Sequence, residues 1–492
     1  MRELLSTQLK AGKAPLIGVT PIEDIKFDPK CRDEITKILR GLQEMYICEE
    51  LRLEIFDILK QMLPENISPD KGRKGMDLWT IFVLGVLRLG CNWDYDKLKS
   101  CFDNHIKIRE MTGVDLFCDL GKVTSLKCIQ DNVSLFTEKI SNQIYKLVAR
   151  FGHQHFLPKK EELHTRCDSF VFLSNVHFPT DFNLLLDSIR VVIRLCSSKS
   201  ESLNLPGWRE HDSMWEKARA CYNKLSKMRH SNSKKEDIKE KRLQEINGQI
   251  NSYLELAERY FKKAMQLQDS LDDAIPVLET YLDYGDLFID QIKRRVFDDI
   301  KTPPEDKVYS IFEPYTEWIC KGKAGVRQEL GVKVCIVDDQ LGFILNHRVM
   351  NKEQDTGVAV VMAKESKDYF PLVASMSFDK GFHSKRDSAG DTNRTKIEKE
   401  SGIEAFIPVK GRPNKEDQHR QSSPEFIAAR KQHPAVESAI NALASHGLDR
   451  CPDRGEVNYK RYVSMAMTAS NIHRLGALFM ARDLKRSQRK AA

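Results

Sequence analysis

Leu372-Val373-Ala374-Ser375-Met376-Ser377-Phe378-Asp379-Lys380-Gly381-Phe382-His383 is the stretch on which the reading of this chain turns. Leu372–Met376 is a short apolar run of the kind that forms a buried strand, and Gly381 breaks it. Asp379 therefore stands at the exit of a strand. Far upstream, Cys167-Asp168-Ser169-Phe170-Val171-Phe172-Leu173 mixes β-formers and reads as a second strand, with Asp168 opening its apolar part. Downstream, Glu437 follows Pro434-Ala435-Val436 in a stretch that reads as a helix. Two strand-end aspartates and one helical glutamate form a set that can hold two divalent cations over a phosphodiester.

The rest of the chain is organised around these three acids. Residues 1–155 read as helical. Leu78, Ile81, Phe82, Val86 and Leu89 recur at helical spacing until Gly90. Asn92 or Asp94 offers an N-cap for a helix over Tyr95–Cys101, and Ile106, Ile108 and Met111 fit a third short helix before Gly113. Helix, tight turn, helix is compatible with a DNA-binding fold and equally with a plain bundle. His177-Phe178-Pro179-Thr180-Asp181 is a turn, and Leu184, Leu185, Ile189, Val192 and Leu195 repeat at helical spacing after it. From Leu243 a 3-4 alternation runs through Ile246, Ile250, Tyr253, Ala257, Tyr260, Ala264, Leu267 and Leu271, as in a heptad seam. Trp215, Ala218, Tyr222 and Leu225 supply an antiparallel partner, so residues 207–302 read as a helical hairpin with a basic tip between Lys224 and Arg242. That tip is either a solvated loop or an arm that contacts phosphates.

Strands return after Pro303-Pro304, at Tyr315–Cys320, Lys333–Val337 and Phe343–Val349, the last two joined by Asp338-Asp339-Gln340-Leu341-Gly342 with hairpin-turn chemistry. A helix over Gly357–Tyr369, the strand before Asp379, a strand at Ile403–Val409 and the Glu437 helix complete the core. Arg482–Lys490 reads as a basic tail that frays. The fold class is thus α/β. Its parts are an N-terminal helical domain (1–155), a core in two pieces (160–206 and 303–475), a helical insertion (207–302) and a tail (476–492).

Composition sets bounds. The chain has 492 residues, 41% hydrophobic and 30% charged, with a net charge of +7, as expected of a soluble, mildly basic globular protein. Its 12 cysteines form no C-x-x-C pair or zinc-finger spacing and read as reduced thiols. Neither a signal-peptide core nor a membrane span is legible, so a cytoplasmic location is expected.

Cleavage of a phosphodiester by two metals asks for hard cations about 3.5–4 Å apart, one activating the attacking oxygen and one stabilising the leaving oxygen. Such ions take oxygen ligands. Asp168 suits the bridging position, with Asp379 and Glu437 each holding one ion. Each acid also has an ordinary reading: turn or cap for Asp168 and Asp379, first-turn acid for Glu437. Asp338 and Asp339 compete for the second ligand position but stand where a hairpin must turn.

Asp168-Ser169, with the following His-Phe-Pro-Thr-Asp, resembles the first acidic motif of bacterial insertion-sequence transposases of the DDE type. Phe378-Asp379-Lys380-Gly381-Phe382 resembles their second motif. Gln432-His433-Pro434-Ala435-Val436-Glu437-Ser438, through Gly447-Leu448-Asp449-Arg450-Cys451, is similar to their glutamate motif. Glu317–Lys323 and Gly331-Val332-Lys333 resemble their second and third core strands, and Ile81–Gly113 their N-terminal domain. The nearest group is the ISNCY type. The resemblance implies a ribonuclease-H-like mixed sheet. It implies a bacterial, nucleoid-associated enzyme that uses two Mg²⁺ or Mn²⁺ ions, bound by Asp168, Asp379 and Glu437. Such an enzyme cleaves DNA at the terminal inverted repeats of its element and joins the 3′-OH ends to target DNA. It works as a homodimer or higher oligomer on double-stranded DNA, away from any membrane. Many relatives carry Tyr-x2-Arg-x3-Glu-x6-Lys around the glutamate. Here Arg430 falls at the Tyr, His433 at the Arg and Ala444 at the Lys. Lys380, Arg430, His433, Arg450, Lys321 and Lys323 are the candidate DNA contacts. The alternatives are a catalytically silent DNA-binding derivative and an unrelated metal-dependent phosphoesterase.

Overall fold

The computed structural model describes residues 3–5, 19–63, 75–114, 124–230, 236–320 and 328–491. The chain divides into two compact units, Met1–Asn175 with Gly331–Ala492, and Val176–Leu330. Helices α1 (Glu34–Ile47), α2 (Glu49–Lys60), α3 (Leu78–Gly90), α4 (Tyr95–Asn104), α5 (Ile106–Thr112), α6 (Leu126–Val133) and α7 (Glu138–Phe156) precede strand β1 (Leu163–Leu173). The second unit holds α8 (Asp181–Ser202), α9 (His211–His230), α10 (Glu236–Asp269), α11 (Leu278–Phe297) and β2 (Glu317–Cys320). The chain then forms β3 (Gln328–Asp339), β4 (Ile344–Met350), α12 (Asp355–Tyr369), β5 (Val373–Phe378), α13 (Asn393–Ser401) and β6 (Glu404–Phe406). It ends with α14 (Lys415–Gln421), α15 (Pro424–Gln432), α16 (Ala435–Leu443) and α17 (Glu456–Ala491). Among the described residues no helix is long and apolar enough to cross a membrane.

Local signals explain several boundaries. Asp77 caps α3 by accepting from Thr80 N–H, and Asp94 caps α4 by accepting from Lys97 N–H. Gly113, at φ 67°, ends α5 in the left-handed region that a side chain resists. Every residue of α3 is buried, so this helix is core, and only α4 and α5 present exposed faces there.

The strand order is β2-β3-β1-β5-β6, with β4 also on β3. β3 runs antiparallel to both β4 and β1. β5 then lies parallel to β1, and β6 parallel to β5. β1 is thus flanked on both sides up to Cys167, which pairs Phe378, the last residue of β5. Beyond that point the β5 side of β1 is open until Leu173, which bridges to Arg450. The inward alternation of β1 changes phase at the same place: Leu163, Thr165 and Cys167 are buried, then Phe170 and Phe172.

Three expectations need correction. Residues 1–155 are no separate domain, because α7 packs on β4 and α17, and α17 packs on α1 and α3. The helical unit begins at Val176, not near 207. Phe182, Leu185, Ile189 and Val192 of α8 share one core with Tyr253 and Ala257 of α10 and Phe288 of α11. Leu243 is 57% exposed, so the packed seam starts further along α10, with Ile246 only partly covered. The basic tail does not fray at Arg482: α17 continues to Ala491, Asp483 pairs with Arg40 at 2.9 Å, and the Arg482 guanidinium lies over the Phe479 ring.

Helix α17 holds the first unit together. The Tyr459 hydroxyl donates to Phe172 O of β1 at 2.6 Å. Asn471, fully buried, accepts from Ile344 N–H and donates to Ile344 O, satisfying the outer edge of β4, and also donates to Tyr145 O of α7. Its crossing with α1 is so close that a Cβ at Gly476 would run into the Lys37 carbonyl. We expect Gly476→Ala to cost about 1–3 kcal/mol in urea unfolding through this backbone clash. Gly248→Ala on α10, where a Cβ meets nothing within 4 Å, should instead gain about 0.5–1 kcal/mol.

Candidate active site

The parallel register of β1 and β5 builds the site. Cys167 pairs Phe378, so one residue further Asp168 and Asp379 come side by side on strands about 4.8 Å apart. Asp168 is the sixth residue of an eleven-residue strand. It is therefore no strand-end acid by its own chain; the end it occupies is that of its neighbour β5. Asp379 follows Phe378 directly, and Lys380–Phe382 form a short 3₁₀ turn after it. Helix α16 packs on β1 and carries Glu437 in its first turn. Asp379 and Glu437 are exposed, whereas Asp168 is partly covered.

The three acids share one electrostatic neighbourhood. Burial pushes the Asp168 carboxyl up to about 6, the charges of Asp379, Asp355 and Glu437 push the same way, and the Ser169 N–H it accepts from works against them. Among the described residues, no three His, Cys, Asp or Glu side chains close into a ready-made metal-ligand group.

Asp355 was not among the residues singled out in the sequence. It opens α12, accepts from Ser169 Oγ at 2.8 Å and pairs with Lys333 Nζ at 3.2 Å. A Cβ on Gly381 would lie 3.2 Å from Asp355 Oδ2, so the Asp379–Gly381 turn folds against it. No signal at Asp355 distinguishes it from an ordinary first-turn acid.

The basic candidates have different surroundings. Arg430, half-buried on α15, donates from Nη1 to Phe378 O at 2.9 Å and so grips the residue before Asp379. His433 is buried, with Nδ1 3.0 Å from Ser377 Oγ, and burial together with Arg430 lowers it to about 4. It is a neutral packing residue, not a surface cation. Lys380 is exposed, as is Arg450 beside its bridge to Leu173. Lys321 and Lys323 lie outside the described residues.

The competing aspartates are committed elsewhere. Arg166 grips Asp338 with Nε and Nη2, both at 2.8 Å. Asp339 accepts from Leu341 and Phe343 N–H and lies 2.5 Å from His153 Nε2. Both are buried and are the last two residues of β3, so the hairpin turns just after them and not at them. Asp338 is thus held by a guanidinium and Asp339 by two amides and an imidazole, whereas no described residue forms an ion pair with Asp168 or Asp379.

Comparison with protein-family models, curated proteins and solved structures finds no match to this chain.

The raised Asp168 carboxyl gives a stability test with a definite sign. Its ordinary value is 3.8 and its folded value about 6. Below pH 4 it is protonated in both states and costs nothing. Between pH 4 and 6 the unfolded chain ionises first, so stability falls, and above pH 6 the full penalty of up to about 3 kcal/mol remains. Asp168→Asn should therefore raise the Tm of the metal-free protein at pH 7.5, with the gain vanishing near pH 4 in a pH series of melts. An equal gain at both pH values would contradict the raised Asp168 carboxyl.

Proposed function

We propose that this chain is a DDE-type DNA transposase with a ribonuclease-H-like core, whose acids are Asp168, Asp379 and Glu437. The observation that supports the reading is that Asp168 lies beside the β5 exit that leads into Asp379, where burial first, and then the charges of Asp379, Asp355 and Glu437, push its carboxyl up to about 6. The strand order supports it as well. Three antiparallel strands, β4, β3 and β1, are continued by two parallel ones, β5 and β6, as expected of that core.

The donor set fits Mg²⁺ or Mn²⁺. It consists of hard carboxylate oxygens, and among the described residues the ion pair at this cluster is Lys333 with Asp355. Asp168, Asp379 and Glu437 are the residues that would hold the metal. A bound divalent pair would supply activation of the attacking oxygen and stabilisation of the leaving oxygen. The protein's own part is placement. Arg430 fixes the Phe378 carbonyl and with it the direction of Asp379. Ser169 and Lys333 hold Asp355 behind the Gly381 turn. The backbone N–H of Ser169 orients the Asp168 carboxylate. These contacts leave Asp379 and Glu437 open to a DNA strand from the solvent side. Action on paired DNA ends asks for two active sites, so a homodimer or larger assembly on DNA belongs to the same proposal.

The test is strand transfer with duplex DNA carrying the repeats that border the gene. Wild-type protein should cut and join with Mg²⁺ and do neither in EDTA. Asp379→Asn and Glu437→Gln should each lose more than about 100-fold in rate while keeping DNA affinity. Salt-dependent binding by the wild type with no cleavage would mark a silent derivative, and cleavage undiminished in both variants would remove these acids from the chemistry.

A further inference from the structure

The chain that leaves Asp379 walls a second cavity, separate from the acids and opposite to them in charge. Its volume is about 590 Å³. Four permanent cations line it: Lys385 and Arg386 from the loop after the 3₁₀ turn, Arg394 from α13 and Arg420 from α14. Glu416 and Asp417 are the carboxylates among its lining residues.

The cations are not all spent on internal pairs. Arg394 is held by Glu398 at 2.8 Å, and Arg420 Nη2 reaches Asp417 at 3.4 Å. Arg420 Nη1 is enclosed without a hydrogen-bond partner among the described residues. Burial and the neighbouring Arg394 both disfavour the charge on Arg420. Lys385 and Arg386 are exposed, and neither forms an ion pair with a described residue. Hydroxyls of Ser384, Thr392 and Thr395 also lie on the wall.

The cavity is tied to the acidic cluster by a buried residue. Asn393 is 6% exposed, and its Nδ2 donates to Thr356 O, one residue after Asp355, and to Phe382 O, three residues after Asp379. Its backbone N–H donates to Ser384 Oγ at 2.7 Å. The loop bearing Lys385 and Arg386 is therefore anchored to the turn bearing Asp379.

We propose that this cavity is a phosphate-binding site that receives the DNA backbone a short way along the strand from the acidic cluster, with Lys385, Arg386, Arg394 and Arg420 as its ligands. The DNA part rests on the function proposed above. Two charge classes then divide the work: the carboxylates take the reacting phosphodiester through metal, and this cavity takes a neighbouring phosphate directly through guanidinium groups, which suit phosphate geometry.

The experiment measures binding of a fluorescein-labelled 30-base-pair duplex by anisotropy, over a salt series, in Ca²⁺. The full-length wild type is compared with Lys385→Gln/Arg386→Gln, with Arg420→Gln, and with a charge-matched control, Lys26→Gln/Lys364→Gln, at exposed sites elsewhere. Each lost phosphate contact should lower the log–log salt slope by about 0.9. The double cavity variant should thus lose between one and two units of slope and roughly 10-fold in affinity at moderate salt, with Tm unchanged, while the control stays near wild type. Equal slopes in cavity variant and control, or a wild type that does not bind the duplex, would overturn the assignment. Mg²⁺-dependent cleavage, assayed in parallel, is read separately. A lowered slope without any cleavage would keep this site and sink the transposase reading, and cleavage with an unchanged slope would do the reverse.

Discussion

The arrangement depends on one pairing, the parallel register of β1 with β5. Because Cys167 meets Phe378 and β5 then stops, the next residue of each strand is an aspartate with an open sheet edge in front of it. A slip of one residue would send each side chain to the other face of the sheet. The register is held from several directions. Thr165 Oγ1 donates to Ser375 O, Arg430 grips Phe378 O, and Tyr459 fastens the far half of β1 to α17. The gap between Cys167 and the Leu173–Arg450 bridge is the space that the acids face.

Electrostatics separates acids that look alike. Asp338 and Asp339 are almost wholly buried, yet each has partners: a two-pronged arginine for one, two backbone amides and a histidine for the other. Asp168 is less buried and has a single amide, but it faces three further carboxylates. A fold tends to neutralise buried charge unless something external does so. Among the described residues, the carboxylates around Asp168 and the enclosed, unpartnered nitrogen of Arg420 are departures of opposite charge from that rule.

Much of the element list was legible. Asp77, Asp94 and Gly113 mark helix ends by capping chemistry, which is local and needs no tertiary information. The strand before Asp379 and the turn just after Asp338-Asp339 were readable for the same reason. Domain limits were not. α8 has an apolar face that fits either a sheet or a bundle, and only its packing with Tyr253 and Phe288 assigns it to the helical unit. The end of the chain read as a loose basic tail, but Asn471 and Gly476 make α17 the common partner of α1, α7 and β4. Asp355 escaped notice because a first-turn acid is commonplace.

The sequence by itself determined which residue types were on hand: two aspartates beside apolar runs, a glutamate on a helix, and the basic loop after Gly381. Periodicity and capping are written in neighbouring residues, so those elements could be read in place. Only the tertiary structure decided that Asp168 stands at the end of another strand rather than its own, that His433 is buried and neutral, and that Asp355 joins the cluster. These depend on register and packing between segments hundreds of residues apart, where the free energy of a carboxylate is set by what folding brings beside it.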